Sequence, residues 1–490
     1  MFSKTAIVEP EAPLIEVKDL TVSYPNGYQA LTKVNLVVDQ LATLGLVGPS
    51  GCGKSTLVKT LLGLLPKGSK ISGSVKVVGI DILTADAEQI RKARGLIVGY
   101  IAQDPFAACD PMRRVGHHIE AAWKMHQLPV PANAALDQLN SVGIENAAQR
   151  VTDRPFAFSG GMLQRASIAA GTVHQPQLVL ADEPTSALDA ELAGDVLDLI
   201  DRRSTGLLLV THDLALVTGH CEQVVVMSAG EIVERGLTSQ VLADPKTAAA
   251  KKLVAASPKL SGKKTQQRAR GQLVIEASKL NHSYATQVLS NQDLAVYAGQ
   301  IIGIQGPSGC GKSTLLRMIG GLEQPDEGTI RFVDRQGVKH RNRPRGFVMP
   351  VFQNPVGSLS QRWPIWRCLA EPLRAAGQRK SKTEWLDWAR QQLDAIGLAE
   401  TLALRKPRQL SVGQAQRVAI LRALVADPAV ILADEPSASL DVVSAKLIYQ
   451  MLSKAADNGT GVVIVSHDTT RLATVADRII YHHNGCFIES

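Results

Sequence analysis

The sequence predicts two α/β domains in tandem, each folded around a mostly parallel sheet, and three observations carry that expectation. The chain has 490 residues, and single cores rarely grow past roughly 250–300 residues, so two comparable domains are the first expectation. The ten-residue block GPSGCGKSTL occurs at 48–57 and again, 258 positions later, at 306–315. Around these landmarks short apolar strands alternate with longer helical patterns, the order from which a parallel sheet is built.

The repeat extends well beyond the block. Tyr24 and Tyr284, Gln103 and Gln353, Ser159 and Ser411, Asp182-Glu183 and Asp434-Glu435, and His212 and His467 recur in the same order at similar offsets, as duplicated domains require. Each half opens with an alternating strand pattern, LIEVKDLTVSY and LVIEASKLNHSY. Residues 257–271 are polar, basic and without periodicity, the composition of a linker. The expected organisation is a first domain at 1–256, a linker at 257–271 and a second domain at 272–490.

Composition narrows the class. Apolar residues make up 45%, charged residues 20% and aromatics 4%, which suits a packed α/β protein and excludes wholesale disorder. No uninterrupted apolar run reaches the ~18–20 residues that span a bilayer. The opening MFSKTAIVEPEAPLIEV has neither a basic n-region nor an apolar h-region, so a cytoplasmic protein without a signal peptide is expected. The six cysteines, Cys52, Cys109, Cys221, Cys310, Cys368 and Cys486, form no CxxC pair and no zinc-spaced cluster, and are expected to be reduced thiols. Five positive and no negative residues fall in 259–270 (KLSGKKTQQRAR), so more than half of the formal charge of +8 sits in the linker.

The repeated block carries phosphate chemistry. It satisfies G-x-x-x-x-G-K-[ST], follows an apolar strand and opens a helical segment. Gly48, Ser50, Gly51 and Gly53 let backbone N–H groups converge on a β-phosphate at a helix N-terminus. Lys54 reaches the β- and γ-phosphates, and Ser55, followed by Thr56, can ligate Mg2+. Gly306, Ser308, Gly309, Gly311, Lys312, Ser313 and Thr314 repeat the set. One such match can be an ordinary glycine turn; two in strand–loop–helix context argue for two nucleotide sites.

Downstream, LVLAD at 178–182 and ILAD at 431–434 read as buried strands ending in Asp182 and Asp434, suited to the Mg2+ shell. Glu183 and Glu435 follow at once, where a carboxylate can orient and polarise the water that attacks a γ-phosphate.

FSGGM at 158–162 and LSVGQ at 410–414 both resemble the LSGGQ signature of the ATP-binding-cassette family, and the interval from Ser159 to Asp182 equals that from Ser411 to Asp434. The resemblance covers nearly the whole chain apart from the linker. It implies that each half is a RecA-like α/β core with an antiparallel β region and an α-helical subdomain, that the halves pair head to tail, and that ATP and Mg2+ are bound. By resemblance, Ser159, Gly160 and Gly161, and Ser411, Gly413 and Gln414, are signature contacts to nucleotide. Gln103 and Gln353 are the Q-loop glutamines that touch Mg2+, completing a metal set of Ser55, Gln103, Asp182, Ser313, Gln353 and Asp434. Residues 186–189 and 438–441 resemble D-loops, and His212 and His467 resemble switch histidines at the γ-phosphate. Tyr24 and Tyr284 match the aromatic that stacks on adenine.

The resemblance further implies composite sites. One combines Lys54, Ser55, Asp182, Glu183 and His212 with Ser411; the other combines Lys312, Ser313, Asp434, Glu435 and His467 with Ser159. The departures are Phe158, Met162 and Val412. A β-branched residue in place of glycine adds bulk where backbone should approach phosphate, so the site using Ser411 is expected to be the weaker of two competent sites.

A transport-coupled ATP hydrolase on the cytoplasmic face of the membrane is implied, with segments 104–157 and 354–409 receiving two integral membrane permease subunits and an extracytoplasmic solute-binding protein engaged indirectly. FSGGMLQR, ADEPTSALDA and VERGLTSQVLADP are most similar to ATPases of peptide, nickel and metallophore importers. The absence of cysteine from 243–271 leans towards nickel or metallophore, and the cargo stays open. A soluble tandem protein acting on ribosomes or DNA is the alternative, with the basic linker touching phosphates; the long charged helical linker and zinc cysteines of those types are missing, and no nucleic-acid partner is expected. A tandem sugar importer, in which one half commonly has eroded motifs, fits less well because both halves keep theirs.

Overall fold

The computed structural model describes residues 12–185, 190–257, 268–284, 287–307, 309–438, 440–483 and 486–489. The chain divides into two compact units, Met1–Leu260 and Ser261–Ser490.

In the first unit the strands Thr43–Val47, Leu178–Asp182 and Gly206–Val210 are apolar apart from the terminal Thr43 and Asp182 and almost entirely buried, as strands covered on both faces must be. They form a six-stranded sheet ordered Glu231–Leu237, Gln223–Ser228, Thr43–Val47, Gly206–Val210, Leu178–Asp182, Val98–Ile101. The last five strands run parallel, and Glu231–Leu237 closes one edge antiparallel. A second, antiparallel sheet is ordered Gln29–Val38, Ile15–Ser23, Lys70–Val77, Ile80–Asp81. Val17, Leu20, Leu46, Leu57, Leu180 and Met227 belong to one apolar cluster, which joins both sheets to the helix Lys54–Leu61.

The second unit repeats this plan. Its parallel sheet runs Val348–Val351, Val430–Asp434, Gly461–Val465, Ile301–Gln305, Arg478–His483, with Cys486–Glu489 antiparallel at the edge. Its antiparallel sheet is Gln287–Tyr297, Leu273–Ser283, Glu327–Val333, Lys339–His340.

Both Q-loop glutamines follow the edge strand of a parallel sheet and lead into a helical region. Asp104 caps the helix Pro105–Ala108 by accepting from the amides of Phe106 and Ala107, and Asn354 caps Pro355–Ser358 by accepting from that of Gly357. These regions continue through Val115–Lys124 and Ala134–Ser141 to Gly160–Gly171, and through Ile365–Ala375 and Lys382–Ala395 to Val412–Leu424. Ile365, Leu369, Ala389, Leu393 and Val418 form an apolar cluster of their own, so the second helical region is a distinct packing unit.

The first unit also carries the helices Thr238–Ala243 and Ala248–Ala256. Glu234 on the edge strand accepts from the amides of Lys246 and Thr247 and from the Thr247 hydroxyl, which fixes the turn between them. All six cysteines are free thiols; burial, with the charge of Asp201, pushes the Cys221 thiol up to about 12. Among the described residues no helix is long and apolar enough to cross a membrane.

Candidate functional site

Each phosphate loop joins the end of a buried parallel strand to a helix. At Gly53 and Gly311, the N-caps of Lys54–Leu61 and Lys312–Ile319, φ is 109° and 99°. A Cβ would lie 2.8 Å from the Ala30 carbonyl oxygen at the first and 2.7 Å from Val288 Cγ1 at the second. Only glycine fits both the conformation and the space. The first-turn N–H groups lack intrahelical acceptors and form an anion-binding end. Lys54 Nζ donates to the carbonyls of Gly48 at 2.7 Å and Pro49 at 3.1 Å, and Lys312 Nζ donates to those of Gly306 and Pro307 at 2.7 and 2.8 Å. Both ammonium groups are buried inside their loops. Ser308 lies outside the described residues.

The structure brings the two metal-set oxygens of each core together. A hydrogen bond joins Ser55 to Asp182, and another joins Ser313 to Asp434. Burial pushes both aspartate carboxyls above the ordinary range, the hydroxyl bond opposes it, and the neighbouring glutamate adds to the rise. A hydroxyl and a carboxylate at the foot of a phosphate loop are hard oxygen donors suited to Mg2+. A divalent cation there would offset the desolvation that each aspartate experiences.

Glu183 and Glu435 leave their strands at φ 49° and 46°, a left-handed conformation that few residues other than glycine adopt. Each is fixed by its amide, which donates to Val210 O at 2.8 Å or Val465 O at 2.9 Å on the adjacent strand. The conformation recurs at the equivalent acid of both halves, as it does at other equivalent pairs such as Lys33 and Asn291.

The switch histidines reach these acids from the next strand. His212 Nδ1 lies 3.4 Å from Glu183 Oε2, and His467 Nε2 lies 2.8 Å from Glu435 Oε1. Burial works against a charged His212, but the hydrogen bond and charge of Glu183, helped by Asp213, hold the imidazolium above its ordinary value. The loops carrying the histidines are themselves braced: the amides of Asp213 and Asp468 donate to the Thr211 and Ser466 hydroxyls, and both aspartate side chains cap the following helix. Sequence reasoning did not single out these bracing residues, although the recurrence of Asp after each histidine, before a helical pattern, is a legible N-cap signal.

The Q-loops differ. Gln103 Nε2 donates to Glu183 Oε2 at 2.8 Å, giving a Gln103–Glu183–His212 cluster. Among the described residues no such bond joins Gln353 to Glu435.

Ser159 and Ser411 are the N-caps of Gly160–Gly171 and Val412–Leu424. Ser411 and Gln414 form a reciprocal capping box, with Ser411 N donating to Gln414 Oε1 and Gln414 N to Ser411 Oγ. Ser159 accepts from Met162 N, and methionine cannot return the bond. Phe158 and Leu410 are both buried, so that departure is a packing change. Val412 is 45% exposed at the first helical position, where its bulk faces out from its own unit. In the second D-loop Asp441 caps Val442–Asp457 through the amides of Val443 and Ser444; residues 186–189 and Ser439 lie outside the described residues.

The two tyrosines also differ. The Tyr24 hydroxyl is 3.0 Å from Thr56 Oγ1. Tyr284, 56% exposed, donates to Glu323 at 2.5 Å, accepts from Arg317 at 2.9 Å and meets the His282 ring edge-on at 4.7 Å. At the matching first-half positions stand Val22, Lys59 and Leu65, so this network belongs to the second unit alone.

Comparisons agree with this geometry. The sequence profile described as ABC transporter matches residues 31–186 and 289–438. The chain is 31% identical to the peptidoglycan transport ATP-binding protein YejF of Agrobacterium fabrum, over 98% of this chain and 92% of that protein. It is 29% identical to the oligopeptide transport ATP-binding protein OppD of Mycobacterium bovis over 98% and 95%, and 28% identical to the glutathione import ATP-binding protein GsiA of Escherichia coli K12 over 97% and 86%. A solved structure titled RNase-L Inhibitor superposes with a TM-score of 0.64 at 21% identity, covering 96% of this chain and 90% of that one, a likeness of fold.

Proposed function

The chain belongs to the ABC transporter family, and from that premise we propose that it is the ATP-hydrolysing motor of an importer of peptides, acting through separate membrane permease subunits. The observation that carries the motor is the completeness of both halves: each unit brings its loop lysine, its Ser–Asp pair and its Glu–His pair onto one end of one sheet.

In the proposed cycle Lys54 and Lys312 exchange loop carbonyls for β- and γ-phosphate oxygens. Ser55 with Asp182, and Ser313 with Asp434, would hold Mg2+, and Gln103 and Gln353 would complete the donor set. The metal supplies charge neutralisation on the phosphates. Glu183 and Glu435 orient and polarise the attacking water, and His212 and His467 hold the acids and report on the γ-phosphate. Tyr24 and Tyr284 offer ring faces to adenine. Ser411 serves the nucleotide on Lys54, and Ser159 the one on Lys312. Within a single chain 1–256, 257–271, 272–490, the linker keeps the second domain at an effective concentration of about millimolar.

Support for a membrane partner comes from the first helical region, where Phe106, Met112, Met125, Leu128 and Phe156 are exposed and offer apolar side chains to a partner. The cargo reading rests on the names of the relatives, which are oligopeptide, glutathione and peptidoglycan transporters. On this reading the chain works at the cytoplasmic face of the membrane, with two permeases that receive cargo from an extracytoplasmic binding protein.

The test is uptake of labelled di- and oligopeptides, and of nickel with and without a metallophore, in cells lacking the chain. Loss of peptide uptake alone is expected, whereas loss of metal uptake alone would replace peptide with metal as cargo. Recovery of the protein solely with ribosomes, without integral membrane protein, would overturn the importer reading.

A further inference from the structure

The nucleotide sites occupy the C-terminal ends of the parallel strands, and the second unit has a cavity at the opposite end of its sheet. Gln300 immediately precedes the strand Ile301–Gln305, whose far end leads into the phosphate loop, and Arg478 opens the neighbouring strand Arg478–His483. Together with Arg268, Arg270, Asp477 and Glu489 they line a cavity of about 520 Å³.

One wall is rigid. Arg268, the first described residue after the linker's middle, donates from Nε to Asp457 Oδ1 at 2.7 Å, from Nη2 to Ser453 Oγ at 2.5 Å and from Nη1 to Val475 O at 3.2 Å. Its backbone N–H donates to Asp477 Oδ1 at 2.9 Å, while Asp477 Oδ2 accepts from Ile301 N at 2.8 Å. The chain therefore enters the second unit at a fixed point.

The other groups have capacity left. Gln300 is 3% exposed and its Oε1 has no hydrogen-bond partner. Arg478 Nε lies 3.0 Å from Glu489 Oε1 yet makes no hydrogen bond. Arg270 sits 5.5 Å over the Tyr297 ring and has no carboxylate partner among the described residues. Of the lining guanidiniums, Arg268 is paired with Asp457 and Asp477 and Arg478 stands beside Glu489, which leaves Arg270 as the one without a carboxylate among the described residues. Guanidinium forks match the oxygens of phosphates and carboxylates in pairs, so an oxyanion would supply the partner that Arg270 lacks.

We propose that this cavity is a third ligand site, taking a small oxyanion, the phosphate or carboxylate of a soluble metabolite, between Arg270 and Arg478, with a ligand hydroxyl donating to Gln300 Oε1. Because Arg268 forms a wall, an occupied site ties ligand binding to the place where the tether joins the second domain.

The test uses the full chain saturated with ADP and Mg2+, which fills both phosphate loops. Calorimetric titrations with inorganic phosphate and, separately, with lactate are expected to show binding of one of them, and the one that binds identifies the head group. Arg270→Ala, an exposed change, is expected to weaken that binding about tenfold or more while steady-state ATPase stays near wild type; Gln300→Leu is expected to weaken it less. No binding of either anion, or equal affinity in Arg270→Ala, would overturn the site. Neither result depends on cargo, since uptake is not measured.

Discussion

The two glutamates proposed to be catalytic, Glu183 and Glu435, sit in the same left-handed conformation, at φ 49° and 46°, but their surroundings are not the same. Glu183 takes a hydrogen bond from Gln103 and stands 3.4 Å from His212, whereas Glu435 stands 2.8 Å from His467 without a bond from Gln353 among the described residues. The first acid is coupled to the entrance of its helical region and the second mainly to its switch strand. Near-identical motifs can therefore stand in unequal surroundings: in the first half a hydrogen bond links the acid to the loop that enters the helical region proposed to meet the permease.

The largest effect should come from removing the acids. Glu183→Gln and Glu435→Gln are each expected to lower ATP turnover by about 10²-fold or more, the usual worth of a positioned general base. Full turnover in either variant would break the comparison by removing that site from the mechanism.

Bracing comes next. Gln103→Ala deletes a bond to a carboxylate, which contributes about 1.5 kcal/mol or somewhat less at an exposed position, so a roughly fivefold slower turnover is expected; Gln353→Ala should cost less. Equal losses in stopped ATPase assays would show that the bond to Glu183 is not what separates the halves.

A smaller effect is expected at the signatures. Val412→Gly should raise turnover about threefold by easing backbone approach to phosphate, despite a helix cost of about 0.5–1 kcal/mol, and Gly160→Val should lower it. No change in the first variant would shift the asymmetry to Met162, where the capping bond returned by Gln414 is missing.

The smallest effect is in pH dependence. Glu183 raises the folded-state His212 above its ordinary value, so the pair's contribution is complete below about pH 6.5, the unfolded value, and fades as pH rises through the folded value. The melting-temperature difference between wild type and His212→Gln should shrink from pH 6 to pH 9. A constant difference would mean that the imidazole acts by packing.

Much of this was legible in the chain because the repeat fixed the order of the elements and the phosphate loops fixed the ends of their strands. The Glu183–His212 contact follows from motifs at the ends of adjacent parallel strands, and the Ser55–Asp182 contact from a phosphate loop and an acid at the same end of the sheet, one strand apart. Other features were not legible, since they join residues with no shared motif. Gln103 and Gln353 look alike in sequence, and only the course of each loop decides which reaches its glutamate. The Tyr284 network needs His282, Arg317 and Glu323, which are unremarkable one by one. The cavity gathers residues from 268 to 489 whose only common trait is their end of the sheet.

The left-handed glutamates also bear on how this protein can be improved. Glycine would occupy that conformation with no steric penalty, and relief of a residue held there is worth roughly 1–2 kcal/mol. Glycine would also forfeit the contacts to Gln103, His212 and His467 and add chain entropy to the unfolded state. Selection for heat resistance would therefore enrich Glu183→Gly or Glu435→Gly only where strain relief outweighs those losses, and such survivors would lack that acid. Any stabilisation campaign on this chain needs a turnover screen at those two codons.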